Sequence, residues 1–417
     1  MHDIIDKRSQ KSGESMKILY LDIPIFFANM DMLDALEHYR DENGNKLEVI
    51  TFNYDYDEKK ARNDEVFEKA FSNAIKDNSP DFVFSFNFLP VVSKVCNKEG
   101  VIYVSWIYDN PENLLYSYQV INKCNIVLMF DSKEYEIFRN GRIDTVEYLP
   151  LAASTRRLDS MIPTETKRQK FEADISFVGS LYTERKQYYE EIASRISPYS
   201  LGYIDGLIRA QLQVDGMNFI EDCLPKTIVE DIQKASNLYP YPDSAETLEW
   251  LFANYIINRQ ATILERKEIL AMIGEKFGVK LYTYGKNSDF NPAGVQNMGP
   301  ADYFDEMPYI FKLSKINLNI TLRSIRHAIP LRCFDILGAG GFLLSNYQVD
   351  LARHFIPDED YVYYEDRHDL MNKIEYYLHH DDERLAIAQN AHNKVQKEHT
   401  FDVRIGQILE YVNAKVL

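Results

Sequence analysis

Two separate series of short apolar runs, each alternating with helical patterns, constrain this chain more than any other feature. The first series holds runs at residues 17–22 (KILYLD), 47–52, 81–86 (DFVFSF), 101–106 (VIYVSW) and 126–130 (IVLMF), with helical spacing at 29–40 and 63–76. The second holds 173–178 (ADISFV), 281–285 (LYTYG), 315–320, 342–344 (FLL) and 361–364 (YVYY). Helical patterns at 303–312, 382–397 and 403–412 accompany it. Strands that alternate with helices of this length imply a parallel sheet covered on both faces. The expected fold class is therefore α/β, with two Rossmann-like parallel-sheet domains. A chain of 417 residues has room for both.

The boundaries follow composition. Residues 1–15 are polar and read as a disordered tail, and 16–150 as the first domain. A polar, charged stretch at 151–172 reads as a linker, and 173–400 as the second domain. Within the latter, 201–275 breaks the alternation and reads as a helical insertion suited to acceptor recognition, bracing or a homodimer contact. Residues 401–417 form a last helix.

Charge removes several classes of partner. A net charge of −17 leaves no basic surplus to displace counterions from nucleic acid or to hold anionic lipid. The apolar stretches are too short or too interrupted to span a membrane, and residues 1–16 lack the apolar core of a signal peptide. Cys96, Cys124, Cys223 and Cys333 show no paired spacing, which fits reduced core cysteines in a cytoplasmic protein. His379, His380, His392 and His399 do not converge, and Asp55-Tyr56-Asp57 lies in a polar loop, so no metal is expected.

The most informative stretch is 327–346, HAIPLRCFDILGAGGFLLSN. Pro330 suits the first position of a helix. Leu331, Phe334 and Leu337 recur at helical spacing toward a core, with Arg332 and Asp335 three apart on another face. Gly338, Gly340 and Gly341 would close the helix. A helix start that follows a strand offers amides to phosphate oxygens, although a surface salt bridge on a glycine-capped helix explains the same residues.

A second candidate is Gly179-Ser180-Leu181 at a strand end, followed by Arg185 and Lys186 at a helix opening. The glycine permits close backbone approach, and the two cations either neutralise a diphosphate or sit exposed. The first half carries no glycine cluster after its first strand, which argues against NAD or FAD. Its strand ends carry FSFNFLP at 84–90 and WIYDNP at 106–111. Asp109 there is either a helix cap or the one candidate base, and Phe86 and Asn87 read as wall residues.

The 327–346 motif resembles the nucleotide-sugar half of glycosyltransferases with the two-Rossmann GT-B fold, and among them the spore-maturation (CgeB-like) group. The segments 84–90 and 106–111 are similar to the other half of that group. Many retaining members carry two glutamates separated by seven residues, the second binding ribose. Asp335 stands at the second position, and His327 rather than a glutamate stands eight residues before it. The resemblance implies a cytoplasmic, metal-independent enzyme of bacterial glycan biosynthesis that needs no cofactor. Its donor would be a nucleoside diphosphate sugar, foremost a UDP-sugar, and its acceptor a glycan or protein hydroxyl. Arg185, Lys186, Arg332 and helix N-termini would hold the diphosphate, Asp335 the ribose, and Tyr284 at a strand end the base. Two alternatives stay open: a nucleotide-sugar epimerase, for which His327 is the candidate acid–base group, and a non-catalytic carbohydrate-binding module.

Overall fold

A computed structural model of the chain describes residues 15–24, 28–41, 43–183, 188–284 and 290–416. They form two compact units, one from residues 1–150 with 400–417 and one from 151–399. The expectations for residues 1–14, Arg185, Lys186 and Gly285 lie outside the described residues.

The first unit contains a six-stranded parallel sheet: β1 (Lys17–Asp22), β2 (Glu48–Asn53), β3 (Phe82–Phe86), β4 (Ile102–Trp106), β5 (Asn125–Met129) and β6 (Val146–Tyr148). The spatial order is β2-β1-β3-β4-β5-β6. Strand β6 has only three residues, too few to stand out as an apolar run. Every residue of β3 and β5 is buried, as a parallel sheet sandwiched between helices requires. The helices are α1 (Ala28–His38), α2 (Glu65–Asn78), α3 (Pro90–Glu99) and α4 (Ser132–Asn140). Asp64 starts α2 by accepting from the Val66 and Phe67 amides at 3.1 Å. Asp131 does the same for α4, accepting from Lys133 at 2.9 Å.

The second unit has its own six parallel strands: β7 (Ala173–Val178), β8 (Val279–Tyr282), β9 (Val295–Gly299), β10 (Ser314–Asn319), β11 (Leu343–Asn346) and β12 (Val362–Tyr364). Their order is β12-β11-β10-β7-β8-β9. From β7 the chain builds outward through β8 and β9, then returns to β7's other side for β10, β11 and β12. The place where the build direction reverses, between β7 and β10, is where open α/β sheets leave a crevice for ligands.

Two readings of this unit change. Residues 151–172, expected as a linker, form α5 (Thr155–Ser160) and α6 (Glu165–Phe171). Leu158 and Phe171 are buried there, so the polar residues cover an ordered, packed layer. The stretch from β7 to β8, which holds the expected insertion at 201–275, consists of α7 (Tyr188–Ala193), α8 (Pro198–Gln211), α9 (Lys226–Ala235), α10 (Leu248–Phe252), a wide π-turn (Ala253–Ile257) and α11 (Asn258–Phe277). Helix α11 is no appendage. Its Ile269, Leu270 and Ile273 pack into the core with Ile175, Phe177 and Leu281, so α11 is the crossover that leads into β8.

The remaining helices are α12 (Met307–Leu313), α13 (Leu331–Gly338), α14 (Val349–His354), α15 (Arg367–His379), α16 (Asp381–Glu398) and α17 (Phe401–Val416). Helix α17 belongs to the first unit, where the Arg404 Nε donates to the Pro150 carbonyl at 2.9 Å and Ile405 and Ile408 meet Ile18 and Phe82. Among the described residues no helix is long and apolar enough to cross a membrane.

Core packing in the first unit gives a direct test. Phe84 is 1% exposed, so Phe84→Ala leaves a cavity and should cost about 3–5 kcal/mol. Val66 is 81% exposed, so Val66→Ala should stay within about 0.5 kcal/mol. Urea unfolding of the two variants measures the contrast, and equal losses would contradict this packing.

Candidate functional site

Where β7 and β10 end, the backbone of the two strands meets side chains from two helices. β7 ends at Val178, and Gly179 follows with its amide donating to the Tyr282 carbonyl at 2.9 Å. A Cβ on Gly179 would stand 2.3 Å from Nη2 of Arg332 and 2.8 Å from its Cζ. Only glycine lets that guanidinium lie against the strand end.

Arg332 occupies the first turn of α13, where Pro330 is the cap (φ −60°, ψ 146°), so the helix begins one residue later than expected. Its Nη1 donates to Oδ1 of Asn319 at 3.1 Å, and its Cζ lies 5.1 Å from the centre of the Phe177 ring. A second guanidinium shares this ring. Arg266, from α11, is 2% exposed with its Cζ 5.3 Å from Phe177. Its Nε and Nη2 donate to the Ile320 carbonyl at 3.1 and 2.5 Å, and its Nη1 donates to the Ser180 carbonyl at 2.5 Å. Arg259, seven residues earlier and so two turns away on the same face, donates to the Tyr182 carbonyl at 3.1 Å. Tyr182 presents its ring to both, 5.5 Å from Arg259 and 5.0 Å from Arg266.

The electrostatics separate these arginines from their neighbour. Glu265 and Arg266 are adjacent, yet Glu265 turns away and grips Arg323, accepting from its Nε at 2.8 Å and from its Nη2. Asp215 adds a second carboxylate 2.7 Å from Arg323. Burial alone lowers the Arg323 guanidinium, but those two acids raise it well above its ordinary value. Arg332 and Arg266 have no such partner: neither is in an ion pair with a described residue. Burial, with the charge of Arg266 added, pushes Arg332 down to about 10. Burial also lowers Arg266. The Tyr182 side chain and the charge of Glu265 offset this in part for Arg266, and Tyr182 and Asp335 do so for Arg332, but the pair still lacks a direct anionic partner among the described residues, a shortfall that a dianion would relieve.

Around this pair the other expected residues fall as follows. Asp335 lies one turn along α13 and is 5% exposed, and its Oδ1 accepts from the Tyr303 hydroxyl at 3.1 Å. Arg157 stacks over Tyr303, its Cζ 4.9 Å from the ring centre. The expected separation of α13 into core and polar faces does not hold. Cys333, Phe334, Asp335, Ile336 and Leu337 are all buried, and Leu331 only half so, because α12 and α16 flank the helix as well as the sheet.

Gly338, Gly340 and Gly341 sit at the far end of α13, leading into the start of β11, and do not join the arginine pair. A Cβ would meet Ala153 at 2.7 Å from Gly338 and the Phe311 carbonyl at 2.6 Å from Gly341, so both allow close packing. Gly340 turns the chain at φ +76°. His327 is half-buried in the loop from β10 to α13, its carbonyl accepting from the Asp350 amide at 2.9 Å. Tyr284 follows β8 and is 63% exposed.

In the first unit, Asp109 is exposed just past β4. Glu112, three residues on, accepts from the Leu114 amide at 2.9 Å. Burial, then the charge of Asp109, pushes its carboxyl up to about 8.

Sequence reasoning missed Arg266, Arg259, Asn319 and Tyr303. The available signal was the pair Arg259 and Arg266, spaced seven apart on a predicted helix just before a strand.

Residues 259–410 match the sequence family described as glycosyl transferase-like, a span that includes Arg259, Arg266, Arg332 and Asp335. No curated protein matches the chain. A glycosyltransferase from Rickettsia africae superimposes with a TM-score of 0.52 at 10% identity, over 97% of this chain and 99% of its own. Sucrose-phosphate synthase from Thermosynechococcus elongatus does so with 0.52 at 12%, over 96% and 99%. Anabaena HepE in complex with UDP-glucose gives 0.52 at 12%, over 96% and 100%. The fold is GT-B. At these identities the likeness is one of fold, and the β7–β10 switch point lies in the second of its two Rossmann-like domains.

The Glu112 carboxyl gives a pH prediction. Its folded pKa is raised from 4.5 to about 8, so between those values the folded chain holds a proton that the unfolded chain has lost. Its contribution to stability is full below 4.5 and declines as pH rises through about 8. Glu112→Gln should therefore flatten the decline of the first unit's urea midpoint across that window. An unchanged slope in the variant would contradict the assignment.

Proposed function

We propose that this chain is a glycosyltransferase that moves a sugar from a nucleoside diphosphate sugar, a UDP-sugar, to a hydroxyl of a glycan or protein. The observation that carries the reading is the Arg266–Arg332 pair, one guanidinium buried and one half-buried on the Phe177 ring at the switch point of the second sheet, neither in an ion pair with a described residue. In the transfer, the acceptor oxygen bonds to the anomeric carbon while the bond from that carbon to the diphosphate oxygen breaks. The bonding electrons leave with the diphosphate, which gains negative charge. Fixed cations in a desolvated site stabilise that charge without needing to reorganise. They do here what a divalent metal does elsewhere, so the reaction is proposed to need no metal.

Asp335, paired with the Tyr303 hydroxyl, is assigned the ribose. The complex of Anabaena HepE with UDP-glucose supports uracil as the base. Asp109 of the first unit is assigned the acceptor's proton. The motif at 327–346 supports placing the chain in the CgeB-like group.

Calorimetric titration with UDP and with uridine tests this. Arg332→Ala should weaken UDP roughly tenfold or more and leave uridine unchanged, because only UDP carries the diphosphate. Asp335→Asn should weaken both ligands to a similar degree. EDTA should alter none of these affinities. Equal losses of UDP and uridine in Arg332→Ala, or UDP binding abolished by EDTA, would contradict the proposal.

A further inference from the structure

Two sequence segments in the first unit, 84–90 and 106–111, are joined by one buried amide. Asn87 follows β3, is 3% exposed and has φ +53°, in the left-handed region that side chains other than glycine rarely adopt. All its polar groups are used. Its backbone amide donates to the Trp106 carbonyl at 2.8 Å, and its carbonyl accepts from the Ser85 hydroxyl at 2.9 Å. Its side-chain Oδ1 accepts from the amides of Tyr108 and Asp109 at 2.8 and 3.2 Å. Its Nδ2 donates to Oδ2 of Asp109 at 2.6 Å. The side chain of one buried residue thus holds Asp109 at both its backbone amide and its carboxylate.

We propose that Asn87 is a positioning residue that keeps the Asp109 carboxylate ionised and fixes its direction for taking the acceptor's proton. This rests on the reading of Asp109 as the base. The donated hydrogen bond favours the charged carboxylate. Glu112 and Tyr56 both sense the Asp109 charge, with Glu58 near both of them, and both are shifted toward the protonated form, so Asp109 keeps the charge that they give up. Arg62, which also acts on Glu112, is the cation of this group. Without the Asn87 amide, Asp109 would lose its donated hydrogen bond and its loop would be unpinned. Strain at functional sites persists where surrounding contacts over-determine it, and the contacts of Asn87 do so.

The test uses Asn87→Gly, Asn87→Asp and Asp109→Asn in the full chain. Glycine accepts φ +53° without strain, so Asn87→Gly keeps the chain path and removes only the amide. Asn87→Asp keeps an acceptor for both loop amides and removes the donor. Carboxyl-carbon NMR, with Asp109 assigned by its loss in Asp109→Asn, follows its titration directly. The Asp109 midpoint should rise by about one pH unit in Asn87→Gly and at least as much in Asn87→Asp. With UDP-glucose as the probe and water as acceptor, UDP release should fall about tenfold or more in both, its acid limb moving to higher pH. UDP affinity should not change. An Asp109 midpoint unmoved in Asn87→Gly overturns the proposal. Full UDP release by Asn87→Gly beside an inactive Asp109→Asn overturns it while sparing Asp109 as the base. Full UDP release by Asp109→Asn overturns the reading on which it rests.

Discussion

Two guanidiniums side by side on one phenyl ring, Arg266 buried and Arg332 half-buried, with no ion-pair partner among the described residues, are the feature on which the second unit's chemistry depends. Taking a cation out of water costs several kcal/mol even after relaxation, and a second cation beside it adds repulsion. The protein meets that cost only in part. The carbonyls of Ile320 and Ser180 hold Arg266, the Asn319 side chain holds Arg332, and the Phe177 ring lies between the two. None of these groups carries a full negative charge. Gly179 is required because Arg332 occupies the volume a side chain would fill. The arrangement makes physical sense as one half of an interaction, the other half being an anion.

Helix α11 makes the arrangement possible by using three faces. Ile269, Leu270 and Ile273 anchor it in the core. Glu265 ties Arg323 and with it the loop that leads from β10 toward α13. Arg259 and Arg266 face the strand end at Tyr182 and Ser180. The π-turn at Ala253–Ile257 sets the rotation at which α11 begins, and its buried Asn254 bonds to Asn258 at 3.3 Å. Asn258 in turn accepts from Asn218 at 2.7 Å, and Asn218 also donates to the Arg323 carbonyl at 2.5 Å. Uninterrupted polar bonding of this kind fixes helix and loop together, so the direction of Arg266 is not left to a mobile side chain.

Strand positions were legible because buried parallel strands such as FVFSF are apolar along their whole length. Three-residue β6 was not, since so short a run carries no period. The boundary of the insertion was misread because α11 is buried on most of its circumference and carries an arginine and a glutamate among its buried residues. In sequence a helix with charged residues on its buried side looks like a solvated one. The glycines after α13 were read by residue type, and glycine serves close packing as readily as ligand approach. Arg332 and Gly179 were found separately. That they touch is a property of the β7–β10 neighbourhood, which no local spacing encodes. Asn87 was legible as a strand-end residue, but not its left-handed backbone or its hold on Asp109.

The most direct measurement is an experimental structure of the protein with UDP. The account places the diphosphate at the β7–β10 switch point with its oxygens about 2.7–2.9 Å from nitrogens of both Arg332 and Arg266. A nucleotide bound elsewhere, or one at the switch point whose phosphates contact neither guanidinium, would contradict it.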